Sequence, residues 1–146
     1  QMLLENPSSY FQFSESSYSE PAFLNAVVAQ TGCGLLLDVN NIFISCHNLN
    51  ISAEAYLNEL NCAAVGEIHL SGHSTDLLEQ GGDLLIDSHA APAADPVWRL
   101  YENILRLTGP QASLIEWDTN VPECSVLNGE LMQAACLLEQ QICKNH

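Results

Sequence analysis

Five short apolar runs, each closing on an acid or a histidine, recur along this 146-residue chain and constrain its fold more than any other feature. QMLLEN reads as the tail of a strand ending in Glu5. GLLLDVNN (34–41) is a nearly continuous apolar run, the pattern of a strand buried on both faces. It ends in Asp38, with Asn41 three residues on. VGEIHL ends near His69, with His73 beyond it; LLIDSH ends in Asp87 and His89; ASLIEWD carries Glu116.

Helical signatures separate these runs. EPAFLNAVVAQTG has Pro21 in its first turn and Gly32 just past its end. SAEAYLNEL is capped by Ser52. A third helix has Asp95 as cap and Pro96 at its first position and extends to about Thr108, and a last one covers about 126–142. The stretch 71–84, with its Gly81 and Gly82 loop, holds a short helix or only a loop. Strands alternating with helices build a parallel sheet, either open and doubly wound or closed as a barrel. Neither G-x-G-x-x-G nor G-x-x-x-x-G-K-[ST] occurs, so the nucleotide-binding form of the open sheet has no support.

Charge narrows the partners. Three Lys plus Arg face eighteen Asp plus Glu, a formal net charge of −15. Nucleic acid and anionic membranes need cations to neutralise phosphate. Arg99, Arg106 and Lys144 are all there is, so neither is an expected partner. No apolar run approaches the roughly 18 residues of a membrane span. The six cysteines form no C-x-x-C pair and read as buried free thiols, which points to a reducing, cytoplasmic setting.

The chemistry lies at the strand ends. Alternation puts Asp87 and His89 on one face, Leu36 with Asp38, Glu67 with His69, and Leu114 with Glu116. A single strand-end acid is ordinarily a cap or turn former, the reading for Asp95 and Asp118; His47 and His146 read as surface or loop histidines, and Glu67 as an inward residue or a structural ion-pair partner. Repetition changes the weighing. A charge following buried apolar residues needs a partner, and five such ends in succession place acids and imidazoles in one ring. In a barrel that ring, at the C-terminal ends of the strands, is where active sites sit. Oxygen donors mixed with imidazole suit iron, manganese or zinc. The metal set read this way is Glu5, Asp38, His69, Asp87, His89 and Glu116.

Six ordered blocks, ENPSSY, QTGCGLLLDVNN, IHLSGH, LLIDSH, DPVWRLY and LIEWD, resemble the multinuclear non-heme iron-dependent oxidative enzymes, relatives of the methanobactin-biosynthesis oxidase. The resemblance spans nearly the whole chain. It implies a (β/α)8 TIM barrel similar to the xylose-isomerase-like and endonuclease-IV-like barrels. It also implies two or three iron ions, and dioxygen-dependent modification of cysteine-containing peptides that a partner protein presents. Position by position it carries over Glu5, Asp38, Asn41, His69, His73, Asp87, His89 and Glu116 as ligands, with Asp38 and Asn41 in the place of an Asp-x-x-His pair.

A full barrel needs about 250 residues. Residues 1–146 are therefore expected to form the C-terminal portion of one barrel domain, roughly its last four and a half βα units. The missing N-terminal half or a second chain would cover the open side. The competing readings are a zinc- or manganese-dependent hydrolase or isomerase of the same barrel class, and a non-catalytic barrel fragment.

Overall fold

The computed structural model describes residues 1–144; His146 lies outside the described residues. The elements run β1 (Leu3–Glu5), α1 (Glu20–Thr31), β2 (Gly34–Asp38), α2 (Val39–Asn48) and α3 (Ala53–Glu59). A 3-10 turn (Cys62–Ala64) then leads into β3 (Val65–Leu70), β4 (Ser74–Leu77), β5 (Asp83–Ile86), α4 (Asp95–Thr108), β6 (Ala112–Ile115) and α5 (Cys124–Lys144). The chain is an α/β protein whose principal sheet is parallel, in the order β1-β2-β3-β6. No helix among the described residues is long and apolar enough to cross a membrane.

Local chemistry accounts for most element ends. Ser19 caps α1 by accepting from the Ala22 amide, and Gly32, at φ 71°, ends it in the left-handed region that a side chain disfavours. Ser52 caps α3 the same way, accepting from Ala55 N. Asp95 is not a cap: the capping position is Ala94, which offers no side-chain acceptor, and Asp95 opens the helix with Pro96 behind it. Its charge still favours that first turn through the helix dipole.

Three expectations fail in instructive ways. The run 34–41 is not one strand: β2 stops at Asp38, whose side chain caps the next helix by accepting from Asn41 N at 2.7 Å. α2 is buried nearly all round, including Val39, Asn40, Asn41, Ile42, Ile44, Ser45 and Cys46, so it shows no polar face for periodicity to detect. Nor does LLIDSH join the parallel sheet. Residues 83–86 pair antiparallel with β4 in a separate two-stranded ribbon turned by Gly81 and Gly82. Asp87 and His89 follow that ribbon as irregular chain, leaving four parallel strands where five were expected in succession. Finally, of the six free cysteines only Cys46 is buried, its thiol pushed up to about 11 by burial, whereas Cys124, Cys136 and Cys143 are exposed.

The sheet has a helix-covered face and a polar one. Leu35, Leu37, Ile68 and Leu70 are all buried and join Val39 and Ile42 of α2, Leu57 of α3, and Val97, Tyr101 and Ile104 of α4 in the core. An extra residue, Gly66, between the pairs Leu35–Val65 and Leu36–Glu67 bulges β3 and resets its alternation. Beyond the bulge, register places Glu5, Leu36 and Glu67 in one row, with Asp38, His69 and Leu114 in the next. That second face presents the chain's chemistry.

Candidate metal centre

The position of Asp38 is fixed by backbone chemistry on both sides. Its amide donates to Asn6 Oδ1 at 2.8 Å and its carbonyl accepts from Asn6 Nδ2 at 3.0 Å. Asn41 Nδ2 in turn donates to the Asn6 carbonyl at 3.0 Å. Asn6, Asp38 and Asn41 are buried. One Asp38 oxygen caps α2; the other, Oδ2, has no hydrogen-bond partner within the protein, and neither does Asn41 Oδ1. A buried, unpaired polar atom is costly and asks for a ligand.

The remaining groups converge on this carboxylate. Ligand atoms of Glu5, Asp38 and His69 lie within 4.8 Å of one another, as do those of Asp38, His89 and Glu116. Two donors facing each other across a metal at ~2.1 Å bonds are ~4.2 Å apart, a separation of the same order as these clusters. Asp38 belongs to both. Glu116 also stands between two imidazoles, with Oε2 3.3 Å from His69 Nδ1 and Oε1 3.5 Å from His89 Nδ1.

His89 is held unusually tightly. Its φ of 46° is in the left-handed region, which costs roughly 1–2 kcal/mol for a residue with a Cβ. Backbone bonds stabilise it there: its amide donates to Gly72 O at 3.1 Å and its carbonyl accepts from the Asp118 amide at 2.9 Å. Gly72 makes that approach feasible, since a Cβ there would lie 1.9 Å from the Ala91 carbonyl oxygen. His89 Nε2 sits 2.7 Å from Asp87 Oδ1 yet outside hydrogen-bonding geometry, and is otherwise unpartnered.

Electrostatics favours a cation. Burial, together with Asp87 and Glu5 and against the Asn41 amide and His89, pushes the Asp38 carboxyl up to about 7. For His89, burial works to lower the pKa, but Asp87, Glu116, Asp38 and Asp118 outweigh it and the net direction is up. The Asp38 shift is chiefly a cost of burial, with carboxylate neighbours adding to it, whereas the His89 shift expresses the negative charge around the ring. Among the described residues, the salt bridges of these acids are all with histidine; Arg106 is engaged by Glu102 on α4.

Of the eight sequence-derived ligands, Glu5, Asp38, His69, His89 and Glu116 fall in the two clusters. Asn41 and Asp87 line the adjoining cavity of about 410 Å³ with Glu5, His89 and Glu116. His73 stands apart. Its Nδ1 bonds Asn40 Oδ1 at 2.7 Å, and Asn40 Nδ2 donates to Asp87 Oδ1 at 3.3 Å. Burial, helped by His47, lowers the His73 pKa against the opposing Asp87. Glu67 Oε1 lies 3.3 Å from His69 Nε2, and Asp118, expected as a turn former, instead reaches His89 Nδ1 at 3.2 Å. His47, an exposed residue of α2, pairs with Asp83.

Sequence reasoning missed Asn6, Asn40, Ser8 and Tyr10. Ser8 Oγ donates to Asp87 Oδ2 at 3.2 Å, and Tyr10 OH accepts from the Asp87 amide at 3.0 Å. Asn6, Ser8 and Tyr10 lie in the segment ENPSSY and Asn40 in QTGCGLLLDVNN, but as neutral side chains beside the acids and histidines they carry no ligand signal of their own.

A family model described as "RiPP precursor modification enzyme MbnB/TglH/ChrH" matches residues 1–139. Several curated relatives are named UPF0276 protein. One from Rhizobium meliloti (strain 1021) is 48% identical over 139 residues, covering 95% of this chain and 45% of the relative. One from Paraburkholderia phytofirmans is 50% identical over 133 residues (91% and 43%), and one from Bordetella parapertussis is 52% identical over 137 (93% and 47%). The chain thus spans a little less than half the length of these relatives.

Proposed function

Since this chain belongs to the MbnB/TglH/ChrH family of RiPP precursor modification enzymes, we propose that it carries the iron centre of an enzyme that oxidatively modifies cysteine-containing precursor peptides. The observation that supports this most is that one buried carboxylate, Asp38, is common to two ligand clusters and keeps an unpartnered oxygen. Glu5, Asp38 and His69 would hold one iron ion; Asp38, His89 and Glu116 would hold a second. Asn41 and Asp87 are further donors on the cavity wall. Mixed oxygen and imidazole donors are what iron takes. Bound iron supplies the one-electron chemistry by which dioxygen oxidises a peptide thiol.

The protein's own residues orient and position. Asn6 and the α2 cap fix Asp38, so its free oxygen keeps one direction. Glu116 sets both imidazoles. Asp87, held by Asn40, Ser8 and the Tyr10 hydroxyl, offers a carboxylate oxygen to the proton that an entering thiol must shed. Such supporting bonds typically tune metal affinity by 10- to 100-fold.

The same reading extends to the whole protein. The four parallel strands are the C-terminal portion of a single (β/α)8 barrel. The rest of the length seen in the relatives closes the barrel and covers Leu3, Leu36 and Leu114 on the polar face. A reducing cytoplasmic setting keeps the exposed thiols free.

The test is anaerobic reconstitution with ferrous iron, then dioxygen and a cysteine-containing peptide. Two irons per chain and a mass change in the peptide are expected. Asp38→Asn, common to both clusters, loses both ions, while His69→Ala loses one. Tight binding of zinc or manganese in place of iron, with the peptide unchanged, would replace this reading with the hydrolase or isomerase one.

A further inference from the structure

Beside the metal cavity the loop from β1 to α1 forms a second depression, of about 370 Å³. Its walls include Phe11, Phe13, Tyr18 and Phe23, exposed at 67, 65, 60 and 54%. Phe11 and Phe13 meet edge to face at 5.2 Å. Four neighbouring aromatic rings left this open are unusual, because each buries 150–250 Å² when covered and such patches mark interaction sites.

The depression and the metal cavity are lined by consecutive residues of one loop, Ser9 and Ser8 respectively. Ser8 and Tyr10 both bond Asp87, so the loop is tied to the metal side at each end of that contact. At the other side sits Glu20, whose oxygens accept from Ser9 Oγ at 3.0 Å and Tyr56 OH at 2.7 Å. Residues 1–98 contain no Lys or Arg at all. An acidic partner would be repelled, and an apolar, basic one is complementary in both shape and charge.

We propose that this aromatic depression binds an apolar, basic stretch of the substrate peptide and so delivers the adjacent cysteine into the metal cavity. The inference rests on the peptide-modifying role argued above. Rings supply the contact area, Glu20 takes a Lys or Arg of the peptide, and the loop that carries Ser8 and Ser9 runs from the depression to the metal cavity.

Iron-loaded protein is applied to an immobilised library of cysteine-containing dodecapeptides, alongside Phe11→Ala/Phe13→Ala and, separately, Phe23→Ser. All three side chains are exposed, so unchanged melting and iron content are expected. Bound peptides should be enriched in aromatic, aliphatic and basic residues, and the variants should bind them at least 10-fold more weakly. Glu20→Gln should lose the preference for basic over neutral peptides. Unchanged binding by both aromatic variants overturns the proposal, as does enrichment of acidic peptides. A dimer of this chain that the variants dissociate also overturns it. The two readings fail separately. Peptides that bind here without any iron-dependent mass change leave the docking surface standing and remove the oxidation. A mass change whose KM is indifferent to the aromatic variants does the reverse.

Discussion

Asp38 does two jobs that conflict without a metal: it caps a helix and it buries a carboxyl among other carboxyls. In the metal-free protein its pKa rises to about 7, so the folded state holds a proton that the unfolded chain releases near 4. That stabilising contribution is complete below the unfolded pKa and is lost as pH climbs through about 7. His89, also raised, acts in the same sense, contributing below its ordinary range and fading above it. Thermal melting of the metal-free chain should therefore give a lower Tm at pH 8 than at pH 5, and iron should remove the difference by taking the carboxylate form. Asp38→Asn keeps the cap and discards the charge; it should raise metal-free stability at pH 8 by roughly 3 kcal/mol. An unchanged pH profile in that variant would assign the effect elsewhere. Asn6 gives a prediction of the opposite sign. Asn6→Ala strands the buried amide and carbonyl of Asp38, at roughly 1–3 kcal/mol each, and urea denaturation together with iron content should both register the loss. A variant with wild-type stability would show that Asn6 is dispensable.

At the scale of elements, α2 and the β4–β5 ribbon decide where half of the candidate ligands lie. The ribbon is clamped to the end of α2 by Asn48, which donates to Leu85 O at 2.9 Å and accepts from Leu85 N at 3.0 Å. Asp87 and His89 are the next residues along. Asn48→Ala should release the ribbon and weaken iron retention at the His89 cluster while sparing that of Glu5, Asp38 and His69. Iron titration resolving two classes of site checks this, and equal loss at both would refute the assignment of the ribbon to one cluster. The strand β5 was legible beforehand; α2, β4 and the antiparallel pairing were not. The apolar run 34–41 looked continuous because α2 is wrapped by protein on nearly every side and shows no amphipathic period. The one available signal was Asp38 three residues before Asn41, a capping spacing. β4, with every residue exposed, has no apolar face to announce a strand.

For the molecule as a whole, the principal sheet ends in two edge strands, β1 and β6, each paired on one side only. Leu114 of its polar face is 43% exposed. Open edges and uncovered apolar side chains invite association. Light scattering on the isolated chain should report species above the monomer mass of 15.9 kDa, resolved when the remaining half of a relative is co-expressed. A cooperative monomer at micromolar concentration would argue against the need for a covering partner. The alternation of apolar runs and helices, with acids and imidazoles at the run ends, was written in the sequence, because burial on a parallel sheet demands that pattern locally. So were the cap at Ser52 and the stop at Gly32. How those acids and imidazoles meet was not. The Gly66 bulge, the left-handed His89 and the detour through an antiparallel ribbon bring Asp38, His89 and Glu116 together, and each depends on contacts between segments tens of residues apart. Local propensity cannot encode those contacts; the packed chain selects them by satisfying buried backbone groups and dividing a confined negative charge.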